Sequence, residues 1–569
     1  MRPSFLEFGL FVLIVAPFAR MVAIWRGCEL MPWPDGLEYA ASALNLAKGR
    51  GAVLHFGGYT YPSRYTAGYP LLVEFFSLLF SRQVLVLWVP TFATAMLSIL
   101  LLFLIGRLWI GRATGLIAAL LLAYSPVFIT YSTLVMSDVP TLFVTIFAVQ
   151  MVLDATEDAP ALRLPRIWYW LVFGLVAGLS TIMRPTNATI LVGLGVCVVM
   201  VPLERRDVAS LLKAGALVAI GFAIPVAWQL HQNAINLGSP FASGYAWWVP
   251  EVYGSGGKTF SIAYLFGPTM PRNPHGNVIV YLTTLLGLDG MLGDRGDARY
   301  FLYPFAAAVF AIVGFIAILR SPERTTARRL MWFGLGYLAA LTGLYCFYLF
   351  TDVAFILPAA FVLFIAAGAG AALANRWMRD VLLDRNRSAG QFAAAAGVIV
   401  IDLLLIVSLA TEAAVRLSAQ PATSSMVESL LSLDSSLPRD STVVSNISLQ
   451  FLDLYLGEDR RYVGLNSLDP GERFTDYHLH RLYEKRATGW NGPVPAVVFD
   501  GAQMAPAVTV SLASAIDAKA PVFLLIAPPE SQSYADVLKS ELDQLQEKFT
   551  IEPVSQNEAV ALYRLTARK

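Results

Sequence analysis

Long apolar segments occupy the first three quarters of the chain and limit its possible folds more than any other feature. A helix needs about 17 to 25 mostly apolar residues to cross the hydrocarbon core of a bilayer. Segments of this kind lie at residues 5–25, 84–105, 113–130, 136–153, 166–183, 186–203, 211–230, 300–319, 330–350, 354–374 and 392–415. Two shorter apolar stretches, 67–80 and 278–288, are either re-entrant or interfacial helices or two further spans. The sequence therefore predicts a mainly α-helical, polytopic membrane protein with 11–13 transmembrane helices and additional loop helices.

Composition supports this fold class and excludes two others. The chain has 569 residues, of which 56% are hydrophobic and 14% charged, against about 25% charged residues in soluble domains. Its net charge of +1 and the lack of a basic stripe argue against a nucleic-acid-binding surface. The three cysteines are far apart in sequence, which argues against a disulfide framework.

The distribution of Lys and Arg predicts an orientation. The first apolar segment is too long for a signal-peptide core and is interpreted as a retained anchor with a cytoplasmic N-terminus. Short Arg-containing loops then lie inside, in agreement with the positive-inside rule, at residues 106–112, 154–165, 204–210, 320–329 and 376–387. The long, sparsely basic loops 27–83 and 231–299 lie outside, together with everything after residue 415.

The last part of the chain changes character. Short apolar runs alternate with polar, helix-like stretches, a pattern typical of a small α/β domain. Strands are predicted at 442–445, 461–465, 496–499, 522–527 and 560–565, and an amphipathic helix at 530–548. We therefore divide the chain into a transmembrane domain, residues 1–415, and an extracytoplasmic α/β domain, residues 416–569. No Gly-rich phosphate loop is present in the second domain.

Ionisable residues near the outer ends of the helices are candidates for function, because charge at membrane depth is costly. They are Asp35, Glu38, Arg64, Glu74, Asp138, Arg184 and Asp352. Structural explanations exist beside the functional ones. Asp35 and Glu38 fit a helix capping box, Asp138 fits the cap of the fourth helix, and Arg184 fits a snorkelling side chain. Spacing alone leaves both interpretations open for Asp35 and favours capping for Glu38.

Aromatic residues are concentrated in the outer segment GSPFASGYAWWVPEVYG, residues 238–254. Tyr245, Trp247, Trp248 and Tyr253 fit an interfacial aromatic belt, which is the simpler interpretation. Stacking on a sugar or a lipid head group is the alternative.

Several short motifs occur in a characteristic order. They are D-x-x-x-Y-A from Asp35, YPSRYTAGYPLL (61–72), SDVP (137–140), GLVAGLSTIMRPT (174–186), GSPFASGY (238–245) and FILPA (355–359). This series resembles the membrane glycosyltransferases of the GT-C class, in the branch of protein O-mannosyltransferases and lipid A aminoarabinose transferases. The resemblance covers about residues 5 to 375.

The resemblance implies a function and roles for individual residues. The donor would be a sugar on a polyprenyl phosphate, with Asp35 as the catalytic base. Asp138, which matches an acidic residue that the family keeps at the start of the fourth helix, would be the second catalytic residue. Arg64 and Arg184 match donor-phosphate ligands. Glu38, Tyr39, Tyr65 and Tyr245 lie in the same motifs and are predicted to contact substrate. The chain departs from the family at Gly36, where a second acid is common, and at Ala354, where an Arg is frequent.

The implied chemistry suits these residue types. A phosphate leaving group needs cations, an acceptor hydroxyl or amine needs one carboxylate base, and direct displacement inverts the anomeric carbon. No W-W-D or first-loop D-x-D motif is present, so neither a metal nor another cofactor is indicated, although a divalent metal is possible. The expected partners are the lipid-linked donor, membrane lipid and a glycan, lipid or protein acceptor, at the outer face of a bacterial plasma membrane. A flippase of lipid-linked sugars and a non-catalytic assembly subunit remain alternatives.

Overall fold

A computed structural model describes most of the chain. The described residues are 4–28, 35–56, 59–79, 87–157, 160–162, 164–201, 208–248, 253, 259–269, 274–288, 301–383, 388–419, 425–447, 449–465, 520–528, 532–557 and 559–568. All structural statements below refer to these residues.

The region before residue 420 is helical apart from one hairpin. Its helices are α1 (Phe5–Cys28), α2 (Asp35–Ala47), α3 (Gly68–Leu79), α4 (Val89–Trp109), α5 (Arg112–Ala123), α6 (Pro126–Ser132), α7 (Asp138–Ala155), α8 (Arg166–Met183), α9 (Ile190–Met200), α10 (Val208–Leu237), α11 (Gly244–Trp248), α12 (Asn277–Leu285), α13 (Phe305–Leu319), α14 (Thr325–Cys346), α15 (Phe361–Leu383) and α16 (Ala389–Ser418). Short 3-10 helices lie at Pro185–Thr189, Ile262–Leu265 and Val353–Ala359. The hairpin pairs β1 (Val53–Phe56) antiparallel to β2 (Tyr59–Pro62).

The predicted fold class is confirmed. Among the described residues, seven helices are long and apolar enough to cross a membrane, and α5 with α6 forms an eighth such unit bent by 63°. Shorter apolar helices lie at Gly68–Leu79, Pro185–Met200 and Phe305–Leu319. The two undecided apolar stretches are helical, as α3 and α12. The chain is therefore a multi-pass membrane protein.

Small residues allow the helices to pack backbone to backbone. A Cβ at Gly314 of α13 would collide with the carbonyl of Ala366 in α15, and one at Gly370 with the carbonyl of Phe310. Helices α8 and α10 approach each other in the same way at Gly174. Because lipid is as apolar as a Leu side chain, close van der Waals packing of this kind stabilises helix pairs in membranes.

Ion pairs with at least one buried partner lie at one end of the helical bundle. Glu7 of α1 contacts Arg107 at 3.4 Å and Arg112 at 3.2 Å, and Arg329 lies 3.7 Å from Glu157. Asp154 accepts hydrogen bonds from the backbone N–H groups of residues 161 and 162. This basic end is opposite the end at which α1 leads into α2 and the hairpin. We call that opposite end the loop face.

The segment after α16 contains the elements α17 (Ser425–Leu433), β3 (Thr442–Ser445), α18 (Leu449–Leu456), β4 (Arg461–Gly464), β5 (Val522–Ile526), α19 (Gln532–Lys548), β6 (Phe549–Gln556) and β7 (Ala561–Ala567). The strands form a mixed five-stranded sheet with the order β4-β3-β5-β7-β6. β3 is parallel to β4 and β5, whereas β7 is antiparallel to β5 and β6. Four predicted strands and the predicted helix are confirmed, and the predicted strand 496–499 lies outside the described residues.

Two strand elements escaped the sequence prediction. β6 is an edge strand that is mostly exposed and contains Pro553 next to a register shift, so it lacks the apolar run of a central strand. The β1–β2 hairpin lies in a loop and is only four residues long on each side. Both elements depend on their neighbours more than on their own hydrophobic pattern.

The sheet domain packs onto the loop face. A shared apolar cluster contains Leu37 of α2, Leu54 and Tyr61 of the hairpin, and Phe451 and Leu452 of α18. The domain is therefore attached directly to the first loop.

One acidic side chain in this contact gives a pH-dependent prediction. Burial, together with the nearby charge of Glu458, raises the pKa of Asp453 to about 7. The positive charges of Lys48 and Arg50 oppose this shift. The phenol of Tyr462 also lies near the Asp453 carboxyl. Because the folded state holds this proton more tightly than the unfolded chain, stability falls as the pH rises from about 4 to about 7 and stays lower above. The melting temperatures of wild type and Asp453→Asn should be closest near pH 4 and differ most at pH 7 and above, where the variant should be the more stable of the two.

The matched control for this experiment is Asp440→Asn, since Asp440 is an exposed carboxylate in the same domain. It should follow the wild-type pH dependence. An unchanged pH dependence in Asp453→Asn would contradict the assignment of the proton to Asp453.

Candidate active site

The first ion pair of the site joins α2 to the end of the hairpin. Glu38 is 2% exposed, and its Oε2 accepts a hydrogen bond from Nε of Arg64 at 2.6 Å. Its Oε1 accepts hydrogen bonds from the Ser63 hydroxyl at 3.0 Å and from the backbone N–H of Arg64. The side chain of Arg64 is 26% exposed. Glu38 therefore anchors Arg64 without burying its side chain completely.

The second ion pair joins α7 to the turn after α8. Asp138 is the first residue of α7 and is 1% exposed, and its Oδ1 accepts a hydrogen bond from Nη1 of Arg184. Its other oxygen, Oδ2, is buried and has no hydrogen-bond partner among the described residues. The guanidinium of Arg184 also lies 4.7 Å from the centre of the Phe355 ring. Charge and ring together hold this arginine at the loop face.

Tyr39 connects the two ion pairs. Its hydroxyl lies 3.3 Å from the Ser137 hydroxyl, next to Asp138, and its ring stacks on Tyr65, next to Arg64, at 4.4 Å between centroids. Tyr39 and the Asp138–Arg184 pair also interact electrostatically. The two arginines therefore belong to one site rather than to two separate structural pairs.

Aromatic rings surround this site. Tyr65 packs edge-on against Tyr245 at 5.5 Å, and Tyr245 lies 4.9 Å from Tyr253. Burial raises the pKa of both Tyr65 and Tyr245 well above the ordinary value. These phenols therefore remain protonated and can donate hydrogen bonds to a polar ligand.

Asp35 opens α2 and is partly buried. Its charge acts on Arg64, Tyr65 and Tyr245, which places it at the same site. Within the part of the chain that the structure describes, no residue forms a hydrogen bond or ion pair with its carboxylate. Asp35 thus differs from Glu38 and Asp138, each of which forms an ion pair with an arginine.

All eight residues that the sequence analysis predicts as catalytic or substrate-contacting lie at this one site: Asp35, Glu38, Tyr39, Arg64, Tyr65, Asp138, Arg184 and Tyr245. Some of the purely structural explanations for these residues are wrong. The capping interpretation of Glu38 is wrong, because its carboxylate binds Ser63 and Arg64 instead of the start of its own helix. Asp138 is not a helix cap, since Ser137 occupies that position and makes no capping hydrogen bond. Arg184 does not snorkel freely, because Asp138 holds it.

Residues from α14 and the following 3-10 helix also line the site but were not selected as site residues. Tyr345 stacks on Phe355 at 4.7 Å and shares a hydrogen bond of 2.7 Å with Thr186. Asp352 accepts hydrogen bonds from the Tyr131 hydroxyl and from the backbone N–H of Ala354, both at 2.8 Å. In the sequence, the acidic residue at 352 and the FILPA motif could have indicated that this segment belongs to the site. Nothing in the sequence distinguishes Tyr345, since aromatic residues are common in apolar helices.

No group of three His, Cys, Asp or Glu side chains among the described residues is arranged to hold a metal ion.

A glycine contact at Arg64 gives a second prediction. Gly244 opens α11, and a Cβ there would collide with the carbonyl of Ser63 and lie 2.8 Å from Cα of Arg64. Gly244→Ala should therefore displace Arg64 and weaken its pairing with Glu38. If the site acts on a phosphate, we expect turnover to fall by at least about 10-fold, since misplacements near 1 Å can cost 100-fold.

The control is Gly215→Ala in α10, where a Cβ would meet no atom within 4 Å. The turnover of both variants is measured in one assay, together with their melting temperatures, so that a loss of stability is not mistaken for a loss of activity. Equal turnover in the two variants would show that the Gly244 contact does not set the position of Arg64.

Comparisons with known proteins agree with this architecture. Residues 66–228 match the dolichyl-phosphate-mannose-protein mannosyltransferase family, a region that includes Asp138 and Arg184. No curated protein sequence gives a significant match.

The solved structures that share the fold include the following two. ArnT from Cupriavidus metallidurans, bound to undecaprenyl phosphate, superposes with a TM-score of 0.59 at 14% identity, covering 98% of both chains. AglB from Archaeoglobus fulgidus, an archaeal oligosaccharyltransferase in complex with an inhibitory peptide and a dolichol-phosphate, gives a TM-score of 0.54 at 11% identity, covering 98% of this chain and 74% of AglB. The predicted resemblance is confirmed: the chain is a multi-pass membrane protein with the fold of the GT-C glycosyltransferases, and residues 66–228 match their protein mannosyltransferase family.

Proposed function

We propose that this protein is a membrane glycosyltransferase that moves a sugar from a polyprenyl-phosphate donor to an acceptor at the loop face. One observation carries the proposal: two partly exposed arginines, each anchored by a buried acid, share a site with the carboxylate of Asp35, which pairs with no described residue. Two cations and one free base are the groups that displacement of a phosphate by a hydroxyl or an amine requires.

The arginines would bind the leaving phosphate. Arg64 and Arg184 keep 26% and 17% of their side chains exposed, so each can hold its acid on one side and phosphate oxygens on the other. Guanidinium groups bind phosphate through two parallel hydrogen bonds. As the bond between the anomeric carbon and the phosphate oxygen breaks, charge builds up on that oxygen, and preorganised cations stabilise it.

Asp35 would accept the proton of the incoming acceptor. The acceptor oxygen or nitrogen bonds to the anomeric carbon, its proton passes to Asp35, and the phosphate leaves with the electron pair of the broken bond. Attack from the face opposite the phosphate inverts the configuration. Protonated Tyr65 and Tyr245 can orient the sugar by hydrogen bonding and stacking.

The distribution of charge supports an orientation in the membrane. The pairs of Glu7 and Glu157 with arginines lie at the basic end of the bundle, which the positive-inside rule assigns to the cytoplasm. The N-terminus would then be cytoplasmic, and the loop face with the domain from residue 416 onward would be extracytoplasmic, at a bacterial plasma membrane.

The similar structures support the class of donor. ArnT was solved with undecaprenyl phosphate and AglB with a dolichol-phosphate, which are both polyprenyl phosphates. The acceptor here is a glycan, a lipid or a protein, and no metal is proposed to take part.

Reconstitution in liposomes tests the proposal. The purified protein is supplied with polyprenyl-phosphate sugars carrying a labelled sugar and with a panel of acceptors, and free polyprenyl phosphate and labelled product are measured together. Equal amounts of the two are expected, with an inverted anomeric bond in the product. Movement of the labelled lipid between leaflets without product would instead indicate a flippase.

A further inference from the structure

Helix α2, which carries Asp35 and Glu38, contacts two different parts of the protein. Tyr39, Ala40 and Ala43 belong to the apolar core of the membrane region. Leu37 and Ala41 point to the other side and pack into the cluster shared with the sheet domain. The helix is therefore held between the membrane region and the domain.

The domain side of this contact comes mainly from α18. Phe451, Leu452 and Tyr455 are at most 7% exposed, and they pack with Leu54 and Tyr61 of the hairpin. The hairpin leads into Ser63 and Arg64, so the same surface supports both partners of the Glu38–Arg64 pair.

Charged residues fix the far end of α2. Glu458, just after α18, binds Lys48 at 2.5 Å and Arg50 at 2.7 Å. Arg50 is in turn tied to the last turn of α2, because its backbone N–H donates to the carbonyl of Asn45 at 3.0 Å. Asn45 donates to the carbonyl of Val53 at the start of the hairpin, also at 3.0 Å. We call Glu458, Lys48 and Arg50 the charge clamp.

The ion pairs of the charge clamp are too exposed to contribute much to the free energy of folding. The side chains of Lys48, Arg50 and Glu458 are 44%, 37% and 20% exposed, and ion pairs of this exposure contribute little to stability. They can still fix a position. A helix of 13 residues is a stiff rod about 20 Å long, so a shift at its C-terminal end also moves Asp35 at its N-terminal end.

We propose that the sheet domain acts as a positioning element for the active site, with Glu458 of the charge clamp setting the placement of α2 and hence of Asp35 and Glu38. Glu458 is a positioning residue and does not contact substrate. The proposal rests on the function proposed above for Asp35. It gives the domain a role in the transfer step itself, in addition to any part in acceptor binding.

The test reverses the charges. Glu458→Lys should lower kcat about 10-fold and leave the KM for the polyprenyl-phosphate sugar and the melting temperature close to wild type. The triple variant Glu458→Lys, Lys48→Glu, Arg50→Glu rebuilds the pairs with opposite signs and should restore most of the lost kcat. The matched control is Asp459→Lys, because Asp459 is the neighbouring residue and its one ion pair with a described residue is an exposed contact of 3.8 Å with Arg439.

Hydrogen exchange gives a readout that does not depend on activity. Amides of residues 35–47 should exchange faster in Glu458→Lys than in wild type, and return to wild-type rates in the triple variant. If wild type transfers no sugar while this exchange pattern holds, the proposed function fails and the positioning of α2 stands. Unchanged exchange in Glu458→Lys, or unchanged kcat in an enzyme shown to be active, would overturn the positioning role.

Discussion

Asp35→Asn is expected to lower the turnover of sugar transfer by about 100-fold to 10,000-fold, the usual contribution of a general base. Asparagine has nearly the same shape as aspartate and also suits the start of a helix, so α2 should remain folded. It cannot accept a proton at the pH of the assay. Because no described residue is paired with Asp35, the substitution breaks no ion pair. The loss should therefore appear in kcat, with the melting temperature within about 1 °C of wild type.

Two comparisons sharpen this prediction. Asp440→Asn makes the same chemical change at an exposed site in the sheet domain and should leave turnover unchanged. Binding of the donor to Asp35→Asn, measured with a labelled polyprenyl-phosphate sugar, should persist because both arginines remain. Transfer at the wild-type rate by Asp35→Asn would remove Asp35 from its role as base.

The spans were predictable from sequence because each helix carries its own signal. A run of apolar residues must leave water whatever its neighbours are, and the predicted segments accordingly fall on helices. The hairpin and β6 have no such signal. They are short, and their polar or exposed residues are stabilised by pairing with another strand.

The sequence was enough to predict which residues form the site, but not which of them form ion pairs with each other. Charge at membrane depth pointed to Glu38, Arg64, Asp138 and Arg184, since a bilayer selects strongly against ionised groups. Their partners could not be read from sequence: Glu38 and Arg64 are 26 positions apart, and Asp138 and Arg184 are 46 apart. Local spacing favoured a capping box for Glu38, whereas in the structure its carboxylate binds Arg64, a residue distant in sequence.

Arg184→Gln is the second substitution with a large expected effect, and it acts on both folding and chemistry. It removes a cation from the leaving phosphate, for which losses of about 100-fold to 1,000-fold in kcat are typical. It also leaves Asp138, which is 1% exposed, as a buried carboxylate without a partner. Breaking a buried pair in this way costs about 3 to 5 kcal/mol of stability, so the single variant alone cannot separate the two effects.

The double variant Asp138→Asn, Arg184→Gln separates them. Two neutral amides can hydrogen-bond across the same gap, so the melting temperature should return most of the way to wild type, while turnover should stay low because the cation is still missing. Arg107→Gln is the matched control: Arg107 pairs with Glu7 at the basic end of the bundle and should lose stability without losing turnover per folded molecule. If the double variant regained activity together with stability, Arg184 would be a structural residue, and only Arg64 would remain to bind the phosphate. If it regained stability alone, the loss of turnover would come from the missing cation of Arg184 and not from misfolding, as a role in binding the leaving phosphate requires.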